Sequence, residues 1–316
     1  MTIVYLDPVF PALRDLICSL NDTGRTILFA ADYKNERLAS IIERAEYVIV
    51  ATAPVDRLLI EKAKRLKHIQ KTGVGVDNID IEAAKRRGIT VANTPGANAT
   101  GVAELTILHI LALYRKLTII NDATKKGEWP MWEHRLTSFE LHGKTHGLFG
   151  FGKIGQETAK RSKAFGTKII YHDVKRASPD IEAQLEATYV SKEELLKTAD
   201  IISLHIPLLL ETKDYISDEE LKQMKNTAIL INVSRGGIVN EGALVRALRN
   251  GEIMGAGIDV WSDEPPESNH PLFQFPQVIA TPHIGAGTKD TLERVLRLSF
   301  QNIRLIDEGK QPRFLV

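Results

Sequence analysis

Gly150-Phe151-Gly152-Lys153-Ile154-Gly155 carries the G-x-G-x-x-G spacing that lets a chain turn tightly, bring backbone amides up to a diphosphate and begin a helix close against the preceding strand. Three glycines alone often make only a turn, so the flanking residues decide. Upstream, 145–149 (Thr-His-Gly-Leu-Phe) reads as a short buried strand; downstream, 154–165 has helical spacing and stops at Gly166. Residues 168–172 read as a second strand, followed by Asp173. A carboxylate there accepts from both hydroxyls of an adenosine ribose and repels a phosphate placed on that ribose. The register predicts a unit that binds NAD, with Gly150 making the turn, Gly152 admitting the pyrophosphate and Gly155 letting the helix lie on the strand. Nearly half of the chain precedes this motif.

On both sides of it, short β-branched runs alternate with helical stretches, the pattern of parallel sheets covered by helices on both faces. Strands are expected at 3–6, 26–30, 47–50, 68–71 and 89–92, with helices such as 12–20 and 81–87 between them. A long apolar helix should start after Gly101 and run through 104–117, and 127–132, with two tryptophans and a proline, reads as an irregular covering loop. Beyond the glycine motif come strands near 201–205, 228–233, 256–260 and 277–281. Capping boxes are expected at Ser191 and Ser217, a helix at 241–250 closed by Gly251, and a last long helix at 288–308. That helix is free to return to the first domain. The expected fold is α/β with two doubly wound parallel sheets: a Rossmann domain at 101–286 inserted in a discontinuous flavodoxin-like substrate domain made of 1–100 and 287–316.

With 316 residues and 43% hydrophobic content the chain can bury two cores. Lys+Arg 41 against Asp+Glu 40 gives no field for nucleic acid or an anionic membrane. The first residues lack a signal-peptide pattern and no later stretch has the length of a membrane span, so a cytoplasmic protein is expected. The single Cys18 permits no internal disulfide or thiolate metal cluster, and no metal is expected.

In open parallel sheets ligands sit beyond the carboxyl ends of the strands. Four loops at such ends carry polar groups. Asn232-Val233-Ser234-Arg235-Gly236-Gly237 offers a guanidinium able to grip a carboxylate with two parallel bonds. Trp261-Ser262-Asp263-Glu264-Pro265-Pro266 offers a carboxylate whose placement the following proline stiffens, and Thr281-Pro282-His283-Ile284-Gly285-Ala286 a histidine suited to proton transfer near neutral pH. Glu264 beside His283 would fix its tautomer and stabilise the imidazolium. The glycine turn 72–80 offers amides for an anion. Taken singly, each has a plainer reading: a surface arginine, a solvated carboxylate, a loop histidine, and a turn whose Asp80 caps the next helix.

Together and in this order they resemble the D-isomer specific 2-hydroxyacid dehydrogenase family, in a branch similar to D-3-phosphoglycerate dehydrogenase without its regulatory domains. The matching stretches are 72–80, 93–98 (Asn-Thr-Pro-Gly-Ala-Asn), 150–155 with Asp173, 203–208 (Ser-Leu-His-Ile-Pro-Leu), 232–237, Asp259-Val260 with Glu264-Pro265-Pro266, and 281–286. The resemblance implies hydride transfer between NAD(H) and C2 of a small D-2-hydroxy or 2-oxo acid. In that reading His283 is the acid/base, Glu264 its partner, Arg235 orients the substrate, and Val74 and Gly75 contact its carboxylate through their backbone. It also implies cofactor contacts at Lys153, Ile154, Asp173, Ile206, Val233, Ser234, Arg235, Asp259, His283, Gly285 and Ala286, and a homodimer. Relatives of this branch carry an arginine–serine pair where this chain has Ala51-Thr52-Ala53-Pro54. The missing cation counts against 3-phosphoglycerate, although the surrounding sequence is most similar to that branch, and a small unphosphorylated acid such as glyoxylate, hydroxypyruvate or pyruvate is an equal expectation. Members similar to this family also act as NADH-sensing corepressors, the alternative to a metabolic enzyme.

Overall fold

Because each apolar strand is followed by a helix, the chain folds into two separate parallel sheets. Its contacts divide it into one unit formed by everything up to Asn98 together with Thr288–Val316, and a second formed by Ala99–Gly287. The structure, a computed structural model, describes residues 2–316.

The first unit holds strands β1 (Thr2–Tyr5), β2 (Thr26–Phe29), β3 (Tyr47–Val50), β4 (His68–Lys71) and β5 (Thr90–Ala92) in the order β2-β1-β3-β4-β5, all parallel. Helices α1 (Pro11–Leu20), α2 (Asn35–Arg44), α3 (Arg57–Lys62) and α4 (Ile81–Arg86) connect them. Asp56 and Asp80 start α3 and α4 by accepting from the amides of Leu59 and Ala83, each at 2.8 Å. On one face Val4, Val48, Val50 and Ile69 pack with Ile60 and Ala83. On the other, Ile3, Tyr5 and Ile49 pack with Ile17 of α1 and with Leu296, Phe300 and Ile303 of the last helix, Lys289–Asp307. Both faces are covered, so β3 (Tyr-Val-Ile-Val) reads as a continuous apolar run rather than an alternating one, while β4 (His-Ile-Gln-Lys) is buried along its length despite its polar residues.

In the second unit β6 (Thr145–Phe149), β7 (Lys168–His172), β8 (Ala187–Tyr189), β9 (Ile201–Leu204), β10 (Ile229–Asn232), β11 (Gly255–Ile258) and β12 (Val278–Ala280) line up as β12-β11-β10-β9-β6-β7-β8, again all parallel. The order reverses between β6 and β9, which opens the ligand crevice of a doubly wound sheet beyond their carboxyl ends. The helices are α5 (Ala99–Tyr114), α6 (Leu117–Lys125), α7 (Lys153–Ala164), α8 (Pro179–Leu185), α9 (Lys192–Thr198), α10 (Asp218–Gln223) and α11 (Glu241–Asn250).

Two features depart from the sequence reading. The long helix ends at Tyr114, not 117: Lys116 is left-handed (φ +51°), and the Phe139 amide donates to the Tyr114 carbonyl at 3.0 Å. That partner comes from a distant loop, so no local glycine or proline marks the break. The pair α8 and β8 was not anticipated, since a three-residue edge strand is too short to show a period. Among the described residues no helix is long and apolar enough to cross a membrane.

Candidate active site

At the end of β6, Gly150 has φ +90° and a Cβ there would lie 2.5 Å from the His205 carbonyl oxygen; one on Gly155 would lie 2.2 Å from the Gly150 carbonyl oxygen. The chain itself therefore requires both glycines. A Cβ on Gly152 would meet nothing within 4 Å, so this glycine keeps open the space in front of α7. The first-turn amides of a helix have no intrahelical acceptors, and with the helix dipole they favour an anion there. Lys153 and Ile154 are the first residues of α7. The arrangement fits the pyrophosphate of NAD. Ile206, which follows β9, closes the side of the turn, its Cγ2 3.0 Å from where a Gly150 Cβ would be.

Asp173 follows β7 directly. Its Oδ2 accepts the Phe151 amide at 2.6 Å and its Oδ1 the Lys175 amide at 3.2 Å, while the Phe151 ring stacks on Tyr171 with centroids 4.0 Å apart. The carboxylate thus braces the glycine turn. Each oxygen keeps further acceptor capacity for ribose hydroxyls.

Beneath the turn runs a buried hydrogen-bond chain. Ser162 links to Thr167 at 2.8 Å and to His146 Nδ1 at 2.8 Å; His146 Nε2 reaches Ser203 at 2.9 Å, and Ser203 reaches His205 Nε2 at 2.9 Å. Burial drives the protonation range of both histidines down to about 3, His205 adding a repulsion at His146. They are neutral members of the floor, not proton donors.

The loops after β10, β11 and β12 are tied to one another. Asn232 accepts from the Ser234 amide at 3.2 Å and hydroxyl at 2.9 Å and donates to the Arg235 carbonyl at 3.0 Å, which shapes the turn that presents Arg235. The Arg235 guanidinium also donates to the Ser234 carbonyl at 2.7 Å. Val233 is buried beside it. A Cβ on Gly236 would lie 1.8 Å from the Trp261 carbonyl oxygen, so this loop rests on the next. There the Trp261 amide donates to Glu264 Oε1 at 3.1 Å and its indole to the Thr281 carbonyl at 3.1 Å, while the Ser262 amide donates to Glu241 at 2.8 Å.

Glu264 Oε2 lies 2.8 Å from His283 Nδ1, and both side chains are a little over one-third exposed. A carboxylate only accepts, so Nδ1 carries the hydrogen and Nε2 is the nitrogen left to exchange a proton. His283 has φ +54°, a left-handed backbone that a non-glycine residue adopts at a cost of order 1–3 kcal/mol. Its amide donates to the Asp259 carbonyl at 2.7 Å. The Asp259 side chain, wholly buried, accepts from the Thr281 hydroxyl at 2.6 Å and the amides of Ile284 and Gly285, both at 2.9 Å. Asp259 therefore shapes the loop that bears His283, Gly285 and Ala286. Near it, burial lowers the protonation range of His109, against the opposing pull of Asp259.

Trp261, Glu241 and Thr281 were not singled out from sequence. A tryptophan directly after a strand, at the head of a polar loop, was the available signal for the first; the others act through bonds that span distant segments.

In the first unit, Val74 and Gly75 lie in the turn after β4. The Asn93 side chain donates to the Val74 carbonyl at 2.7 Å. Asp80 caps α4, the plainer reading of that residue. The loop at Ala51 has a feature the sequence did not announce: buried Asp7 accepts the amides of Ala51, of Thr52 at 2.6 Å and of Ala53 at 2.8 Å, with the Thr52 hydroxyl at 2.9 Å.

Residues 107–285 match the family model described as D-isomer specific 2-hydroxyacid dehydrogenase, NAD binding domain. A glyoxylate reductase of Thermococcus litoralis is 44% identical over 284 residues, 88% of this chain and 85% of that protein. A D-3-phosphoglycerate dehydrogenase of Methanocaldococcus jannaschii is 39% identical over 95% of this chain, which spans 57% of it. The NAD-complexed D-isomer specific 2-hydroxyacid dehydrogenase of Lactobacillus delbrueckii ssp. bulgaricus superposes with a TM-score of 0.83 at 29% identity, covering 100% of both chains. The chain belongs to the D-isomer specific 2-hydroxyacid dehydrogenase family and is an NAD-dependent oxidoreductase of 2-hydroxy and 2-oxo acids.

Proposed function

We propose that the protein reduces a small, unphosphorylated 2-oxo acid of the glyoxylate class to its D-2-hydroxy acid, with His283 as proton donor. The 2.8 Å contact between Glu264 and His283 carries this reading. Bound NADH supplies the hydride. His283 gives its Nε2 proton to the carbonyl oxygen, and Glu264 holds the ring and stabilises its charged form. Arg235 grips the substrate carboxylate; within the first unit, the backbone amides of Val74 and Gly75 are further proposed substrate contacts. Asp173 receives the adenosine ribose, and the start of α7 the pyrophosphate.

The substrate class rests on two supports. The similar protein from Thermococcus litoralis bears the name glyoxylate reductase. Within the first unit, the amides of Ala51, Thr52 and Ala53 already serve the Asp7 carboxylate, a negative group that repels a phosphate. We also propose a cytoplasmic homodimer. Trp129, Met131, Trp132 and Leu136 are from 55% to 95% exposed in the segment following α6, more clustered apolar surface than a monomer of this kind needs. The corepressor reading has no such support among relatives named for enzymatic activities.

NADH oxidation measured over glyoxylate, hydroxypyruvate, pyruvate and 3-phosphohydroxypyruvate tests the substrate reading. Turnover of glyoxylate or hydroxypyruvate is expected; NADH binding with no turnover of any would support the scaffold alternative, and preference for the phosphorylated acid would overturn the role of Asp7. Light scattering tests the dimer, with Trp132→Asp expected to shift it toward monomer.

A further inference from the structure

Three residues beyond Asp173 lies a cation, Arg176, placed where a neighbouring arginine in this fold can receive the 2′-phosphate of NADP. The structure shows what that cation is doing. Its Nε donates to Glu182 Oε1 at 2.8 Å and its Nη2 to Glu182 Oε2 at 2.9 Å, a two-pronged pair with the first turns of α8. Glu182 is itself anchored: its side chain is 14% exposed, and the buried Tyr171 hydroxyl donates to its Oε1 at 2.5 Å. The Ala177 amide donates in turn to the Tyr171 hydroxyl at 3.0 Å, so the segment carrying Arg176 is tied to the same tyrosine. Tyr171 is the ring on which Phe151 of the glycine turn stacks, and Phe151 donates to Asp173. The two carboxylates thus belong to one braced cluster, one at the ribose position and the other on the guanidinium.

We propose that Glu182 is a positioning residue for cofactor choice: it withholds Arg176 from the 2′-position, so that this chain selects NAD both by the repulsion of Asp173 and by the sequestration of the nearest guanidinium. This rests on NAD binding at Gly150–Asp173. Arg176 and Tyr171 hold the Glu182 carboxyl down at about 2, so it keeps its charge throughout the working range of pH. The clamp is an ion pair on a part-exposed surface, where such pairs are weak unless the geometry is two-pronged and one partner is fixed; here both hold. Lys175, beside Arg176, is exposed and remains in every variant below, so the comparison isolates the guanidinium.

The test is a set of dissociation constants for NADH and NADPH, read by ligand fluorescence at low ionic strength without substrate, for the unaltered protein, Arg176→Ala, Glu182→Ala and the double variant. Glu182→Ala should tighten NADPH by about fivefold, the worth of one surface charge contact, with NADH changed less than about twofold. Arg176→Ala alone should leave NADPH binding unchanged, and the double variant should lose the gain. If Arg176→Ala by itself weakens NADPH severalfold, the guanidinium is already available and the proposal is overturned. It is overturned equally if Glu182→Ala leaves the ratio of the two constants unchanged, or if the gain survives in the double variant. A merely structural loss would weaken both nucleotides together, and failure of the unaltered protein to bind NADH would strike the cofactor site itself.

Discussion

Glu264 bonds in two directions at once, through Oε2 to His283 Nδ1 at 2.8 Å and through Oε1 to the Trp261 amide at 3.1 Å. The carboxylate that orients the imidazole is therefore itself oriented by the loop that carries it. Glu264→Gln keeps the shape and removes the charge. Reductase kcat should fall about 100-fold. NADH affinity should hold within about twofold. An unchanged kcat would show that Glu264 does not support the proton donor.

Asp259 makes three side-chain bonds inside the fold, all to the segment that carries His283. In Asp259→Asn one position becomes an amide NH2 facing a donor, which strands a buried polar group. A loss of about 2–4 kcal/mol in unfolding free energy is expected, together with a fall in kcat exceeding that in affinity. Denaturant unfolding and steady-state kinetics read the two effects separately.

Gly236→Ala places a methyl 1.8 Å from the Trp261 carbonyl oxygen. A backbone atom cannot swing aside like a flexible side chain, so the loops bearing Arg235 and Glu264 must part. We expect a loss of about 1–3 kcal/mol and a larger drop in kcat/KM than the same substitution causes at Gly242, where the nearest atoms are side-chain ends at 3.4 and 3.5 Å.

Acid should weaken the protein before its carboxylates matter. His146 and His205 are held near 3 in the fold and His68 near 4, against 6.5 for a free histidine. Between those values the unfolded chain binds protons that the native state refuses, so stability falls as pH drops below about 6.5. The slope is about 1.4 kcal/mol per pH unit for each histidine. Replacing His146 with Gln should flatten that slope by about one histidine's share in unfolding titrations between pH 6 and 4.5.

Much of this was readable beforehand, and the reason is local. Strand, glycine turn, helix and the second strand ending at Asp173 follow one another within 145–173, and 47–50 is an uninterrupted apolar run whose burial on both faces leaves a plain signature. Arg235, Glu264 and His283 could be placed at strand ends by topology alone. What stayed hidden depends on closure over long separations. Asp7 meets the loop at Ala51 and Trp261 meets Thr281; Glu182, although close in sequence to Arg176 and Tyr171, sits in a short helix with no strong period to announce it. A side chain's partner has no trace in its own neighbourhood when the fold supplies it from elsewhere.

The last helix, Lys289–Asp307, covers the face of the first sheet made by Ile3, Tyr5 and Ile49, using Leu296, Phe300 and Ile303. Since synthesis runs from the amino terminus, that face is made first and covered last. The inserted unit, whose strands all lie between Thr145 and Ala280, can complete its sheet while the earlier one still exposes an apolar surface. Nascent chains halted before residue 289 should thus pair a protease-resistant second unit with a first unit that chaperones recognise.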